Sequence, residues 1–420
     1  MSTSKSDAGQ NQVCVIVGGS HAAAQLATSL RQKGWTGPIR MISDEGRLPY
    51  QRPPLSKAFL AGETEADSLS IRPATFYAKH GIECISNKVI AINRGNKTLT
   101  LADGSRQRYH KLALCTGTRV MRLQIPGREL DGVHDLRSLA DVEGIRRDLP
   151  RTRRAVIIGG GYIGLETAAS LRKHGIEVVV LERAERVLQR VTAPAVSAFY
   201  QRIHGEAGAV IHTDIAATAI EGQERVERVV CADGTSYPAD MVIVGIGVTP
   251  NSELAEAAGL ETNNGILVDE FCQTQDTDIV AAGDCANQWE PCSGEWRRLE
   301  SVPNAMEQAK TAAGTLCGER SPQTSLPWFW SDQYDLKLQI AGLSQGYDQV
   351  VIRGHADTGR SFAAFYFKEG QLIAADCVNR SPEFMMAKTL LSQKRTLDPV
   401  RLADDSIAVK QLMSELPRSG

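Results

Sequence analysis

The chain has 420 residues, 42% of them hydrophobic, and its 47 basic and 49 acidic residues nearly cancel. This length allows two or three domains with separate cores, and the balanced charge excludes a global polycation for nucleic acid or an acidic tail. No apolar run approaches the roughly 18 to 20 residues that span a bilayer, and the polar start Met1 to Gln12 lacks a secretory apolar region. We therefore expect a cytoplasmic protein whose charged docking surfaces are local.

The first motif is a glycine turn near the N-terminus. The β-branched run Val13 to Val17 predicts a buried parallel strand, and a helical pattern after the turn continues to Gly34. Compared with G-x-G-x-x-G, the sequence keeps the first glycine, has serine at the second position and has alanine at the third. The turn and helix start comprise Gly18, Ser20, His21, Ala22 and Ala23. Such a helix N-terminus offers unpaired backbone N–H groups to a pyrophosphate.

A second predicted strand supports this interpretation. Ile39 to Ser43 is followed directly by Asp44 and Glu45, whose carboxylates can accept hydrogen bonds from ribose hydroxyls. Either acid could serve, and we favour Asp44. The first unit is therefore predicted to bind a dinucleotide, with a solvated strand end as the alternative for one of the two acids.

The second motif is more complete. The apolar run Ala155 to Ile158 leads into a turn that satisfies G-x-G-x-x-G in full, and a helix from Leu165 to His174 and a strand from Glu177 to Leu181 follow. The turn residues are Gly159, Gly161, Tyr162, Ile163 and Gly164. The strand delivers Glu182 about 20 residues beyond the turn, the position that binds a ribose 2′-hydroxyl.

Nucleotide choice follows from the residues after this strand. Glu182 favours NADH because its carboxylate repels the 2′-phosphate of NADPH. Arg183 and Arg186 weaken that argument, since an arginine can accommodate the phosphate. Two nucleotide units in tandem are expected when one nucleotide stays bound and the other visits, and an internal duplication explains them.

The chain has nine cysteines, none of them in a C-x-x-C pair. They are Cys14, Cys84, Cys115, Cys231, Cys272, Cys285, Cys292, Cys317 and Cys377. We expect most of them to be buried thiols that pack as small hydrophobic side chains.

Taken in order, several segments resemble the FAD-dependent NADH:ferredoxin reductases of bacterial oxygenase systems, the putidaredoxin reductase type, within the glutathione reductase structural superfamily. Nearly the whole chain takes part. The segments are Leu48 to Lys57, Leu114 to Gly117, Gly159 to Glu166, Arg186 to Tyr200, Gly245 to Asn251, Ala282 to Cys285, Glu300 to Asn304 and Pro327 to Tyr334.

The resemblance implies roles for particular residues. Arg52 faces the FAD phosphates, Lys57 lies near the flavin N5 edge, and Glu166 pairs with Lys57 beneath the nicotinamide. Asp284 accepts from a ribityl hydroxyl, and Trp330 contacts the flavin, with Trp328 left open between flavin contact and core packing. It also implies FAD contacts at Val89, Thr116, Gly117, Gly283 and Val302, and NADH contacts at Arg183, Gly245, Ile246 and Gly247.

The fold class implied is α/β, with two Rossmann-like dinucleotide-binding domains for FAD and NAD and a C-terminal α+β domain with an antiparallel sheet. The expected bounds are 1–117 with 248–325 for the FAD domain, 118–247 for the NADH domain and 326–420 for the C-terminal domain. In the last domain, alternation predicts strands over Gln345 to Ile352, Ser361 to Lys368 and Gln371 to Val378, and a helix from Pro382.

The family comparison also indicates the chemistry. Superfamily members that reduce disulfides carry redox cysteines early in the FAD domain, where this chain has Pro53 to Ser56. Without a thiol relay, electrons must leave from the flavin itself. The expected function is an NADH-dependent reductase that passes single electrons to a small [2Fe–2S] ferredoxin, which feeds a P450 or Rieske-type oxygenase, without a metal of its own.

Two other interpretations stay open at this point. The same flavin site could serve a rubredoxin, quinone or radical reductase, or a redox-sensing binding protein that turns over slowly. A basic docking patch is expected, with Arg297, Arg298 and Lys337 as candidates. The chain could be a monomer or a dimer.

Overall fold

The computed structural model describes residues 12–290 and 294–414, so Cys292 and almost all of the polar start lie outside the described residues. The chain divides into two compact units. The first comprises residues 1–52, 66–119 and 248–325, and the second comprises residues 53–65, 120–247 and 326–420. The finer division into three domains stays a prediction.

The helices in chain order are α1 His21–Gln32, α2 Ala74–Lys79, α3 Leu139–Asp148, α4 Tyr162–Lys173, α5 Pro194–Glu206, α6 Glu253–Ala257, α7 Val302–Leu316, α8 Ser381–Ser392, α9 Pro399–Ala403 and α10 Val409–Ser414. Short 3-10 turns lie at Pro53–Ser56, Ala66–Leu69 and Leu149–Arg151. Among the described residues, we find no helix with the length and apolar character that a membrane span requires.

The strands of the first part of the chain are β1 Cys14–Val17, β2 Ile39–Ser43, β3 Ile82–Ser86, β4 Val89–Asn93, β5 Thr98–Leu101, β6 Arg106–Arg108, β7 Lys111–Leu114 and β8 Thr118–Val120. The central strands are β9 Val133–Asp135, β10 Arg154–Ile158, β11 Glu177–Leu181, β12 Val210–His212, β13 Ala217–Gly222, β14 Val226–Cys231, β15 Ser236–Pro238, β16 Met241–Val244 and β17 Val248–Pro250. The remaining strands are β18 Ile266–Val268, β19 Ile279–Ala281, β20 Ala286–Glu290, β21 Glu295–Arg297, β22 Trp328–Gln333, β23 Leu336–Gly342, β24 Gln349–Gly354, β25 Phe362–Lys368 and β26 Gln371–Val378.

The first unit is built on a five-stranded parallel sheet in the order β19-β7-β1-β2-β3. The apolar run before the first glycine turn forms β1, and all four of its residues are buried, as expected for a central parallel strand. Val17 is in register with Ile42 of β2 and Leu114 of β7. The residues after these three strands therefore meet at one edge of the sheet, where open α/β sheets bind their ligands.

The second unit contains a parallel sheet in the order β12-β11-β10-β16-β9. Ile158 at the end of β10 is in register with Leu181 of β11 and Val244 of β16. This register brings Gly159, Glu182 and Gly245 to one edge. The predicted helix begins earlier than expected, at Tyr162 rather than Leu165, because the turn residues themselves form the first turn of α4.

The C-terminal part of the second unit is an antiparallel sheet in the order β22-β23-β26-β25-β24, which confirms the predicted antiparallel sheet. The prediction missed β22 and β23. It also began β24 four residues early, because a turn closed by the Tyr347 N–H and the Ser344 carbonyl precedes that strand. The hairpin between β22 and β23 turns at Tyr334, at φ 57°, where a glycine or asparagine would have signalled the turn.

Candidate nucleotide and redox site

The glycine turn of the second unit assigns a separate role to each glycine. Gly159 has φ +116°, and a Cβ there would lie 2.3 Å from the Gly245 carbonyl oxygen. A Cβ at Gly164 would lie 2.1 Å from the Gly159 carbonyl oxygen, so helix and strand can only pack this closely without a side chain. A Cβ at Gly161 would meet nothing within 4 Å, which leaves open space for a ligand. These are the three roles of the dinucleotide fingerprint.

The N-terminus of α4 is suited to an anion. Its N-cap is Gly161, and no side chain caps the first turn, so the backbone N–H groups there are available to a pyrophosphate. Ile163 in the same turn is 45% exposed despite its apolar side chain. The chain also returns to this edge at Gly245, whose N–H donates to the Ile158 carbonyl, and at Gly247, whose carbonyl accepts from Met121. This arrangement fits the pyrophosphate of NADH.

Glu182 lies beside the same turn. Its Oε2 accepts from the Gly160 N–H at 2.6 Å and its Oε1 accepts from the Ala184 N–H at 2.8 Å. The carboxylate is therefore oriented by backbone groups at the carboxyl end of β11. Arg183 is exposed, whereas Arg186 donates to the carbonyls of Gln189 and Thr192 and to Ser197 Oγ. Arg183 thus remains the better candidate to meet a 2′-phosphate.

Glu182→Ala should reduce the preference for NADH over NADPH by about tenfold, because a hydrogen bond to the carboxylate is lost and a repulsive charge is removed. The measurement is the ratio of kcat/KM for the two nucleotides. Glu185→Ala is the matched control, since it removes an exposed carboxylate from the same segment. An unchanged ratio in Glu182→Ala would show that Glu182 does not interact with the ribose.

The glycine turn of the first unit has the same arrangement, with serine and alanine at the second and third fingerprint positions. Gly18 has φ +126°, and a Cβ there would lie 2.1 Å from the Cys115 carbonyl oxygen. Ser20 is the N-cap of α1 but its side chain makes no capping hydrogen bond, and His21 and Ala22 begin the helix. Ala23, at the third fingerprint position, is fully buried. The uncapped N-terminus and the close turn fit the pyrophosphate of FAD.

Arg52 reaches this turn. Its Nε donates to Ser20 Oγ at 3.2 Å, and its Nη2 pairs with Glu45 Oε1. Tyr50 also donates to Glu45 and lies under the Arg52 guanidinium. Asp44 is exposed, with its Oδ2 3.9 Å from Lys88 Nζ. The structure therefore brings Glu45, rather than the favoured Asp44, into contact with Arg52, and the acid that binds the ribose stays a prediction.

Two segments of the first unit, one after β7 at Thr116 and Gly117 and one after β17 at Asn251, are joined by hydrogen bonds. Thr116 Oγ1 donates to the Asn251 carbonyl at 2.6 Å, Asn251 Nδ2 donates to the Thr116 carbonyl at 2.8 Å, and the Asn251 N–H donates to the Gly117 carbonyl. Asp284 Oδ2 accepts from Thr118 Oγ1 at 3.3 Å. The Gly283 N–H donates to Gln308 Oε1.

Two further predicted FAD contacts have defined positions. Val302 is the first residue of α7, and Ser301 caps this helix by accepting from the Asn304 N–H. Val89 is buried at the start of β4. Their contacts with FAD stay predictions.

Lys57 and Glu166 form an ion pair within the second unit. Lys57 Nζ lies 2.6 Å from Glu166 Oε2, and the two side chains are 18% and 1% exposed. The same Oε2 accepts from Ser56 Oγ at 2.5 Å, and Oε1 accepts from Ser331 Oγ at 2.6 Å. The pair was expected from the family resemblance, whereas the contacts of both serines with Glu166 were not. The sequence offered one indication of the two serines: each lies within a segment that carries the family resemblance.

The two tryptophans of β22 lie on one face of the strand, with ring centroids 5.7 Å apart. Trp328 packs on Phe384 and under the Lys388 ammonium group of α8, so it belongs to the C-terminal core. Trp330 is half-buried. Its flavin contact stays a prediction.

The expected basic patch is partly neutralised. Arg297 pairs with Glu290 and Glu295, and Arg298 pairs with Glu300 while donating to the Asp284 carbonyl. The Arg298 side chain is only 10% exposed. Lys337 is exposed. Of the three candidates, Lys337 is the best placed to present a charge to solvent.

The cysteines behave largely as expected. Of those described, six are buried, whereas Cys84 is exposed and Cys317 is half-buried. Burial raises the pKa of the thiols at Cys14, Cys115, Cys272 and Cys285 above the usual range. Because the thiolate is the reactive form, these residues are suited to packing rather than redox exchange.

Comparisons with known proteins agree with this geometry. The family model for pyridine nucleotide-disulphide oxidoreductases matches residues 12–309, and the reductase C-terminal model matches residues 328–413. A putidaredoxin reductase of Pseudomonas putida is 43% identical over 411 residues, covering 96% of this chain and 97% of that protein.

Two further relatives extend the comparison. The ferredoxin reductase subunit of a 5,5'-dehydrodivanillate O-demethylase of Sphingobium sp. is 42% identical, covering 95% of this chain and 98% of its own length. The crystal structure of a covalent putidaredoxin reductase–putidaredoxin complex matches with a TM-score of 0.93 and 43% identity over 96% of this chain and 99% of that chain. The chain therefore belongs to the pyridine nucleotide-disulphide oxidoreductase family, as an FAD-binding oxidoreductase that uses NADH.

Proposed function

We propose that this chain takes electrons from NADH onto bound FAD and passes them one at a time to a small [2Fe–2S] ferredoxin that supplies an oxygenase. Two relatives support the acceptor: one is named as the ferredoxin reductase subunit of an O-demethylase, and another has been crystallised in covalent complex with putidaredoxin. FAD, when bound, supplies the conversion of a two-electron donor into single-electron transfers.

The observation that carries this proposal is the absence of cysteine from the segment Pro53–Ser56. Disulfide-reducing relatives are expected to carry cysteines early in the FAD domain, but no cysteine occurs between Cys14 and Cys84 in this chain. Pro53–Ser56 instead forms a 3-10 turn, and the next residue, Lys57, pairs with Glu166. The segment where a thiol relay is expected therefore has no thiol and is followed by the lysine of a charged pair, which supports electron exit directly from the flavin.

Lys57 and Glu166 have complementary roles in this proposal. Lys57 Nζ also donates to the Pro53 carbonyl at 3.3 Å, so the ammonium group is held by both the turn and the carboxylate. A positive charge held in place stabilises the negative charge that a reduced flavin acquires. Glu166 balances and orients that charge, while Glu182 and the α4 N-terminus hold NADH.

The proposal is tested by mixing the FAD-loaded protein anaerobically with NADH and then with a panel of [2Fe–2S] ferredoxins, rubredoxin and a quinone. We expect rapid bleaching of the flavin absorbance, followed by its return as a ferredoxin is reduced. Return with rubredoxin or quinone alone would contradict the ferredoxin assignment. A reduced flavin that persists with every carrier would favour the redox-sensing alternative.

Ionic strength gives a second test of the acceptor. Ferredoxins are acidic, so electrostatic docking should make the apparent KM for ferredoxin rise severalfold as salt is added. The KM for NADH should change little, because its site is formed by backbone groups and one carboxylate, and it serves as the internal control. A ferredoxin KM that is insensitive to salt would count against a basic docking surface.

A further inference from the structure

A series of buried hydrogen bonds continues beyond Glu166. Ser331 Oγ donates to Glu166 Oε1 at 2.6 Å, and Gln333 Nε2 donates to Ser331 Oγ at 3.2 Å. His204 Nε2 lies 2.9 Å from Gln333 Oε1, and the Tyr334 hydroxyl lies 3.0 Å from His204 Nδ1. We name Ser331, Gln333, His204 and Tyr334 the Glu166 support chain. All of its members belong to the second unit.

The alternation of β22 explains why these side chains meet. Successive residues of a strand point to opposite faces, so Phe329, Ser331 and Gln333 share one face while both tryptophans share the other. The first face lies against the helices, since Phe329 contacts Tyr162 of α4, Ser331 contacts Glu166 of α4 and Gln333 contacts His204 of α5. Ser331, Gln333 and His204 are each 0% to 1% exposed.

The hydrogen bonds of the support chain run in one direction. A carboxylate can only accept hydrogen bonds, so the Ser331 hydroxyl must donate its single hydrogen to Glu166. It therefore accepts from the Gln333 amide nitrogen. Gln333 then presents its carbonyl oxygen to His204, which must donate from Nε2. Every donor is directed toward Glu166, so each hydrogen bond supports the next one along the series to that carboxylate.

The outer members are in the protonation states that this direction requires. Burial lowers the pKa of His204 to about 4, so the ring is neutral near pH 7, with its hydrogen on Nε2 and a lone pair on Nδ1. Burial raises the pKa of Tyr334 to about 12, so the phenol keeps its hydrogen and donates to Nδ1. The series therefore ends on a donor.

The backbone at Tyr334 gives independent support. Tyr334 adopts φ 57° in the turn between β22 and β23, a left-handed conformation that is unfavourable for a residue other than glycine. Glycine would form this turn without strain but would have no hydroxyl. The tyrosine at this turn supplies the last donor of the series.

We propose that the members of the support chain are positioning residues, which hold the Glu166 carboxylate against Lys57 and thereby set the rate at which NADH reduces the flavin. This inference rests on the proposed role of the Lys57–Glu166 pair. The polar and titratable groups that face Glu166 are Ser56 of the 3-10 turn, Lys57 directly after it, Ser331 from β22, Tyr162 of its own helix and Tyr200 of α5.

The test is a double-mutant cycle on the limiting rate of flavin reduction, measured by anaerobic stopped-flow absorbance. Ser331→Ala should lower this rate about tenfold, the factor expected for one hydrogen bond to a charged group, without changing the Kd for NADH. Gln333→Met should lower it about threefold. In the Ser331→Ala background, Gln333→Met should have almost no further effect, because Gln333 acts through Ser331.

A matched control and a milder variant keep the test decisive. Ser29→Ala removes another buried serine hydroxyl, on α1 in the first unit, and should leave the rate unchanged. Tyr334→Phe removes one hydroxyl from a partly exposed residue, so it should fold even if Ser331→Ala does not, and should lower the rate about twofold.

Rates equal to those of the unaltered protein, or effects at Ser331 and Gln333 that simply multiply, would overturn the inference. The proposed function is judged separately by ferredoxin reduction with the unaltered protein. The proposed function could therefore fail even if the variants of the support chain slow flavin reduction as expected. It could also be correct even if those variants have no effect on the rate.

Discussion

Glu166→Gln should slow the reduction of bound FAD by NADH roughly 30- to 100-fold, corresponding to the loss of about 2 to 3 kcal/mol in an interaction between charged groups. The Glu166 side chain is 1% exposed and is the ion-pair partner of Lys57. Glutamine has nearly the same shape and can still accept from a serine, but it carries no charge. Lys57 would then be left partly buried without an opposite charge, so its ammonium group would be held less firmly.

The effect is measured as the limiting rate of flavin bleaching at saturating NADH, with FAD content determined for each variant. Glu63→Gln is the matched control, because Glu63 forms the same type of pair with Lys173 in the same unit but is 52% exposed. Exposed pairs contribute little, so this variant should behave like the unaltered protein. If Glu166→Gln reduced FAD at the normal rate, the proposed role of the pair would be wrong.

Asp376→Asn should make thermal stability less dependent on pH. Asp376 of β26 is fully buried, and burial raises its pKa to about 7, although a hydrogen bond from Tyr366 favours the charged form. Its Oδ1 has no hydrogen-bond partner. Tyr162, Tyr200 and Tyr366 lie near this carboxyl group, and burial raises the pKa of each of them.

The sign follows from proton linkage. In the unfolded chain an aspartate ionises near pH 4, whereas in the folded protein Asp376 keeps its proton until about pH 7. Between these values the folded state binds more protons, so raising the pH destabilises it, and above pH 7 the penalty is constant. A shift of about three pH units corresponds to roughly 4 kcal/mol.

The asparagine variant cannot ionise and avoids this penalty. The difference in melting temperature, variant minus unaltered protein, should therefore be several degrees larger at pH 8 than at pH 5. Asp357→Asn, which removes an exposed carboxylate from the connection between β24 and β25, controls for the change in net charge. Parallel pH profiles for Asp376→Asn and the unaltered protein would contradict the prediction.

The sequence predicted the nucleotide units well because their determinants are local. A strand, a glycine turn and a helix N-terminus are adjacent in the chain, and the structure gives β1, β10 and the two following helices close to the expected bounds. Which of Asp44 and Glu45 contacts Arg52 could not be predicted in this way. It depends on where the Arg52 guanidinium lies, which only tertiary structure determines.

The surroundings of Glu166 are the clearest example of non-local information. Ser56 and Ser331 are 110 and 165 positions away in the sequence, and a serine in a turn or strand carries no distinctive pattern. Strand β22 was missed because its inward face includes Ser331 and Gln333, which read as surface residues. They are buried because Glu166 and His204 satisfy their hydrogen-bonding groups.

The two faces of β22 also constrain how the protein can be re-engineered. Exchanging the C-terminal segment with that of a relative is an obvious way to alter acceptor choice, since it replaces Trp330 and the exposed Lys337. A junction placed before β22 would simultaneously replace the serine that orients Glu166, so a slower chimera could be mistaken for a poor match with its acceptor. A junction in the turn after Gln333 retains both Ser331 and Trp330 and replaces Lys337, so it changes the exposed charge without removing the serine that contacts Glu166.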